Sequence, residues 1–257
     1  MKIKIGVSLV LYKEPEKRLL KYLTSLDCQL RDYDYQVRIF LNSTHDYKIS
    51  DKYILSGDGT NLGFGHGHND NVNWFIKNEF SNIIISNTDI LFNTNLSLLF
   101  NKFENISILC PQILDTNLKQ QKMVRSLPTI VDKIKSFISD YPFFKMLDNE
   151  DELIVPSFSG CFFVVNVSNY LKLNNKHLFD PNIFLYEEDT DLSRRMWNTK
   201  SAKLIPKVKI IHNHEKGSKK NFYLFFLHLK SIFYYFNKWG WFDPSAKESK
   251  TYLNKIK

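Results

Sequence analysis

Glycine and proline are scarce in this chain, nine and eight among 257 residues, and there are only three cysteines. With 43% hydrophobic and 24% charged residues, that scarcity excludes collagen-like, low-complexity and disordered polymers. Cys28, Cys110 and Cys161 are odd in number, far apart and free of any CxxC spacing. They read as reduced core residues, not as a disulfide or zinc framework. Missing too is any stretch near the ~18 apolar residues that a membrane-crossing helix needs. Met1-Lys2-Ile3-Lys4 leads into a short apolar run ending at Tyr12 with no small-residue cleavage site. This predicts a strand instead of a signal peptide, and hence a cytoplasmic location. The sequons at Asn42, Asn95, Asn105 and Asn166 then read as chance matches in an Asn-rich chain.

Basic residues, by contrast, are in excess, 35 Lys plus Arg against 27 Asp plus Glu, a formal charge of +8. A nucleic acid, an anionic membrane face or a phosphorylated substrate would suit that balance. Net charge alone speaks for nucleic acid, and none is expected. The length suffices for one large domain or two small ones. Ile3 to Leu11 reads as a strand buried on both faces, and Glu14-Pro15-Glu16 as a helix start followed by Leu19, Leu20, Leu23 and Leu26 at helical spacing. Further strands are expected over 37–41, 82–86, 107–110, 158–165 and 208–211, with helices over 71–80, 130–138, 189–198 and 222–236. The alternation predicts an α/β fold, with a mostly parallel central sheet covered by helices on both faces. Residues 115–156 read as a variable insertion. The catalytic unit is expected to span 1–215, with a basic, aromatic helical segment over 216–257 packed on it.

Four constellations carry chemistry. In Asn61-Leu62-Gly63-Phe64-Gly65-His66-Gly67-His68-Asn69, alternate glycines precede a predicted helix, as a phosphate cradle or as a plain turn. A dinucleotide fingerprint would need GxGxxG after the first strand. In Ser86-Asn87-Thr88-Asp89, a buried strand ends in an acid, suited to Mg²⁺ or Mn²⁺ shared with substrate phosphates or to an Asx turn. Phe184-Leu185-Tyr186 is followed by Glu187, Glu188, Asp189 and Asp191, then Arg194 and Arg195. Acids there stabilise a helix start, while the aromatic approach lowers water access and suits a general base. Finally Ile211-His212-Asn213-His214 puts two imidazoles at a strand end, a metal pair that lacks a third ligand.

Together with Val7-Ser8-Leu9-Val10-Leu11-Tyr12, Arg125-Ser126-Leu127-Pro128, Ser159-Gly160-Cys161 and Ser218, these segments resemble the family 2 glycosyltransferases with the GT-A fold. The likeness is strongest to their bacterial rhamnosyltransferase-like branch. It runs from about residue 3 to 240, with Leu41 where the family has Asp and Cys161 where it has Ala. The resemblance implies inverting transfer from a nucleotide diphosphate sugar. Asp89 then holds Mn²⁺ or Mg²⁺ with His212, His214 being the alternate, and Asp189 is the base with Glu188 as runner-up. Tyr12, Asn42, Asn61, Gly63, Gly65, Asn69, Asn87, Asp89, Arg194 and Arg195 would line the donor. Ser159, Gly160, Glu187 and Glu188 would face a saccharide acceptor, expected to be lipid-linked, in bacterial surface polysaccharide synthesis. The donor is expected to be dTDP-rhamnose or a UDP-hexose. Lysines 216, 219, 220, 230 and 238, interleaved with aromatics, predict peripheral contact with an anionic inner membrane. A catalytically silent binding protein of the same fold is the competing expectation.

Overall fold

The computed structural model describes residues 3–121, 124–138, 151–213 and 222–256. In its first half the strands expected over 3–11, 37–41 and 82–86 form, whereas the helix expected over 71–80 runs from Phe64 to Lys77. β1 (Lys4–Leu11) pairs in parallel with β2 (Asp34–Leu41) and β4 (Asn82–Ser86), and β2 with β3 (Ile54–Ser56). Odd positions of β1, Ile5, Val7, Leu9 and Leu11, are buried in the core. Even positions face α2 (Phe64–Lys77): a Cβ on Gly6 would lie 2.6 Å from the Phe75 ring, and Ser8 bonds His68 and Asn71. α1 (Glu16–Leu30) buries Leu19, Tyr22, Leu23, Leu26 and Leu30 along one stripe.

The second half is partly antiparallel where the sequence predicted parallel. β8 (Phe162–Asn166) lies between β4 and β6 (Ile108–Leu114) and runs against both. The chain enters β8 at the carboxyl end of β4, so it must run back. β6 pairs in parallel with β9 (Ala202–His212), and β9 runs against both β5 (Ile90–Phe92) and β7 (Leu153–Ile154). The nine-stranded sheet has the order β3-β2-β1-β4-β8-β6-β9-β5, with β7 also on β9. The central sheet is therefore mixed, and helices flank it.

α3 (Ile130–Ile138) forms where predicted, as does α5 (Glu188–Thr199); α4 (Val167–Leu171) is an extra short turn after β8. Two helices follow, α6 (Phe222–Trp239) and α7 (Pro244–Lys255). α6 docks on the chain before α5: Lys238 bonds Asp180 and Asp191, Trp239 donates to Asp191, and Ser231 donates to the Leu185 carbonyl. α7 was not foreseen, although Asp243-Pro244 is a helix start and the Asp243 side chain accepts from the Ser245 N–H. Ser249 on it accepts from the Leu127 N–H, and Ala246 packs with Leu127 and Trp197. Among the described residues no helix is long and apolar enough to cross a membrane.

Candidate functional site

Asp89 follows β4, and the β5–β9 ladder fixes its neighbour: Ile90 pairs with His212, and the Asn213 N–H donates to the Asp89 carbonyl. His212 Nε2 consequently lies 3.2 Å from Asp89 Oδ2. The other oxygen, Asp89 Oδ1, is buried with no hydrogen-bond partner among the described residues. Burial disfavours the His212 cation, yet the Asp89 carboxylate and the Cys161 sulfur beside the ring raise its pKa to about 10. Gln121 holds the histidine from behind. Its amide donates to the His212 carbonyl at 2.7 Å, and its oxygen lies 3.3 Å from Nδ1, which leaves Nε2 directed at Asp89. Gln121 was missed, for nothing in its irregular local sequence announces it.

An orphaned carboxylate oxygen beside an imidazole fits Mn²⁺ or Mg²⁺. No cluster of three or more His, Cys, Asp or Glu able to hold a metal exists among the described residues. A cation there would need oxygen ligands from outside the chain, which a diphosphate supplies. His214 and Ser218 lie outside the described residues.

The acid block starts α5 through two successive left-handed residues, Tyr186 (φ 65°) and Glu187 (φ 66°). Such backbone costs about 1–3 kcal/mol per residue and persists only where surroundings enforce it. Here the enforcing contacts are polar. Glu187 is buried and takes Lys133 Nζ on both oxygens, at 2.6 and 2.5 Å, and His228 Nε2 at 2.9 Å. Burial alone would raise its pKa, but Lys133 and His228 lower it to about 2. Glu188 is the opposite case: burial, and then the charge of Asp189, push it up to about 8, and its Oε2 has no partner among the described residues. Asp191 is buried in bonds to Arg195, Lys238 and Trp239. Asp189 Oδ2 accepts the Gly160 N–H at 3.0 Å. At residue 160 a Cβ would lie 3.1 Å from Asp189 Cβ, so a glycine is needed for that approach.

Ser159-Gly160-Cys161 thereby joins the two groups. Gly160 holds Asp189, the Cys161 carbonyl accepts the Asn87 N–H at 2.9 Å, and the Cys161 sulfur borders His212.

Other predicted contacts are placed differently. Helix α2 begins at Phe64, so Gly65 and Gly67 lie within its first turns and do not precede it. A Cβ on Gly65 would meet Phe179 at 2.9 Å, so this glycine serves packing and makes no phosphate cradle. Gly63 (φ 92°) is the turn residue, and a Cβ there would collide with the Phe184 carbonyl. Asn69 spends both amide atoms on the Phe179 backbone, and Asn42 both of its own on Leu62 and Gly63. Asn61 caps the Gly63 N–H. Arg194 is paired with Asp243 and Asn198, and Arg195 with Asp191 and the carbonyls of His177 and Leu178, so neither guanidinium is free for a diphosphate. Helix propensity hid the first correction; ion pairs across distant segments hid the last. Tyr12, just past the end of β1, is 53% exposed, with Lys13 Nζ over its ring at 5.3 Å from the centroid.

The chain covers 98% of itself and 70% of a Pyrobaculum calidifontis mannosyltransferase solved with GDP-Man and Mn²⁺, at a TM-score of 0.57 and 13% identity. A Drosophila β1,4-galactosyltransferase 7 mutant solved with manganese, UDP-Gal and xylobiose matches at a TM-score of 0.49 and 11% identity, covering 85% of this chain and 74% of that one. No protein-family model and no curated protein sequence matches. The first likeness shows a shared fold.

Proposed function

We propose that the chain is an inverting glycosyltransferase that moves a sugar from a nucleotide diphosphate sugar to a saccharide hydroxyl. The observation that carries this reading is the three-residue segment Ser159–Cys161, which sets a carboxylate, Asp189, beside the Asp89–His212 pair. The mannosyltransferase whose fold it shares was solved with a nucleotide sugar and Mn²⁺, and that supports the reading.

In this mechanism Asp89 and His212, the latter giving up its ring proton, would hold Mn²⁺ or Mg²⁺, which would supply positive charge opposite the leaving diphosphate. The acceptor oxygen bonds to the anomeric carbon as the carbon–phosphate-oxygen bond breaks, the electron pair leaving on the diphosphate. Asp189 takes the hydroxyl proton. Its neighbours suit that role. Near neutral pH Glu188 is largely protonated, Glu187 is neutralised by Lys133 and His228, and Asp191 is committed to Arg195 and Lys238. One acid of the block remains to act as base. Tyr12 stacks on the nucleotide, and Asn87 reaches the donor from the end of β4. The acceptor enters over Ser159 and Gly160.

The acceptor in this proposal is lipid-linked, and the enzyme works at the inner face of a bacterial membrane in surface polysaccharide synthesis. Phe222, Phe226, Leu229 and Phe233 lie along one exposed face of α6, with Phe242 94% exposed just beyond it. Of the lysines expected to join them, Lys238 is instead engaged in ion pairs with Asp180 and Asp191. Lys216, Lys219 and Lys220 lie outside the described residues.

A thermal-shift screen of dTDP-rhamnose, UDP-hexoses and GDP-mannose, each with and without Mn²⁺, tests the reading. Stabilisation by one donor only in the presence of Mn²⁺ is the expected result. Indifference to all donors and to the metal would favour a silent binding protein of this fold.

A further inference from the structure

A pocket opens beside the start of α5, lined by Arg125, Ser126, Lys133, Ser157 and Thr190 among others, with no carboxylate among the described residues of its wall. Arg125 and Ser157 face each other in an isolated antiparallel bridge, which puts both side chains on one side of the backbone. The two cations differ. Lys133 is engaged by Glu187, whereas the Arg125 guanidinium, half-buried, has no carboxylate partner among the described residues. Ser157 is only 3% exposed. A half-buried guanidinium with no carboxylate beside it, next to a hydroxyl in the same wall, is suited to receive an anion.

The ligand that these groups suit is a tetrahedral oxyanion. Arg125 offers a planar fork of N–H donors, and Ser157 and Thr190 offer hydroxyls. Thr190 stands in the first turn of α5, where the helix favours anions. It directly follows Asp189, and the pocket wall is tied to the same helix, because the Phe158 N–H donates to Ser193 Oγ. The pocket thus adjoins the residue after the proposed base, and neither Asp89 nor His212 lines it.

We infer that this pocket is a subsite for a phosphoryl group of the acceptor. The inference rests on the glycosyl-transfer reading for its purpose, but its binding chemistry stands apart from the metal. Calorimetric titration of the full chain with methyl diphosphate, in EDTA so that the donor site lacks its cation, is the test. Wild type and Asp89→Asn should bind alike. Arg125→Gln should weaken binding about tenfold or more and Ser157→Ala by about two- to fivefold, on the scale of charge-assisted and neutral hydrogen bonds. Arg125→Lys, which keeps the charge, should retain part of the affinity and guards against a misfolded Gln variant. Geranyl diphosphate in place of methyl diphosphate separates the sources: tighter binding points to a lipid-linked diphosphate, equal binding to a phosphorylated soluble saccharide. Unchanged affinity in both Arg125→Gln and Ser157→Ala, or an equal loss in Asp89→Asn, would overturn the subsite. A failure of sugar transfer itself would appear in the Mn²⁺-dependent donor screen and leave these titrations unaffected.

Discussion

At the scale of single residues, neighbouring acids have been given different states by what touches them. Lys133 and His228 hold the Glu187 pKa below its ordinary value, whereas burial and the neighbouring Asp189 charge push that of Glu188 up to about 8. The pH dependence of stability follows in sign. Glu187, with its pKa lowered, stabilises the fold above its ordinary value of 4.5, and that contribution is lost as pH falls toward about 2. Glu188, with its pKa raised, favours the fold fully below 4.5, and the benefit is lost as pH rises toward about 8. Glu188→Gln should therefore remove the decline between pH 5 and 8, raising Tm at pH 8 by about 4 °C or more relative to wild type. Thermal melts at both pH values check this, and parallel profiles would show that Glu188 is ionised in the fold. For the base, Asp189→Asn should keep donor binding and slow transfer by about 10²-fold or more. Near-normal turnover in that variant would move the role to Glu188. Gly160→Ala presses a methyl toward Asp189 and is expected to lower transfer with a smaller loss of stability, read by kcat beside Tm.

Elements whose residues obey a single period were legible from sequence, and those set by distant partners were not. β1, α1 and β4 announce themselves through continuous or 3.6-spaced apolar residues, most of which are buried. The start of α2 was hidden because Gly65 and Gly67 have poor helix propensity, yet they are the residues thin enough for Phe179, Val10 and Phe40 to pack upon. Asp89, Asp189 and His212 could be singled out as acids and an imidazole at element ends. That Gly160 and Cys161 would join them, or that Gln121 would orient the histidine, depends on contacts across tens of residues. The exposed face of α6 carries a prediction of its own. Replacing Phe222 and Phe226 together with Ser should reduce sedimentation with vesicles of anionic lipid by about tenfold, since each buried ring contributes roughly 1.5–3 kcal/mol, and should leave Tm nearly unchanged. Undiminished sedimentation would mean that this face does not meet lipid.

Across the whole molecule, the mixed sheet brings the ends of β4, β8 and β9 to one place, and the loop before α5 closes over it through α6 and α7. The +8 charge supplied only a class of anionic partner; the arrangement proposes which anions and where. In the proposed reading a nucleotide diphosphate would bind at Asp89 and His212, and an acceptor phosphoryl group at Arg125 and Ser157. The central claim is that Asp89 binds the donor through a divalent cation. Calorimetric titration of the donor found in the screen, with Mn²⁺ and with EDTA, into wild type and Asp89→Ala tests it most directly. The account predicts metal-dependent binding in wild type that falls by at least about tenfold in a fully folded variant, on the scale expected when a metal ligand is removed. Metal-dependent affinity that survives unchanged in Asp89→Ala would contradict it.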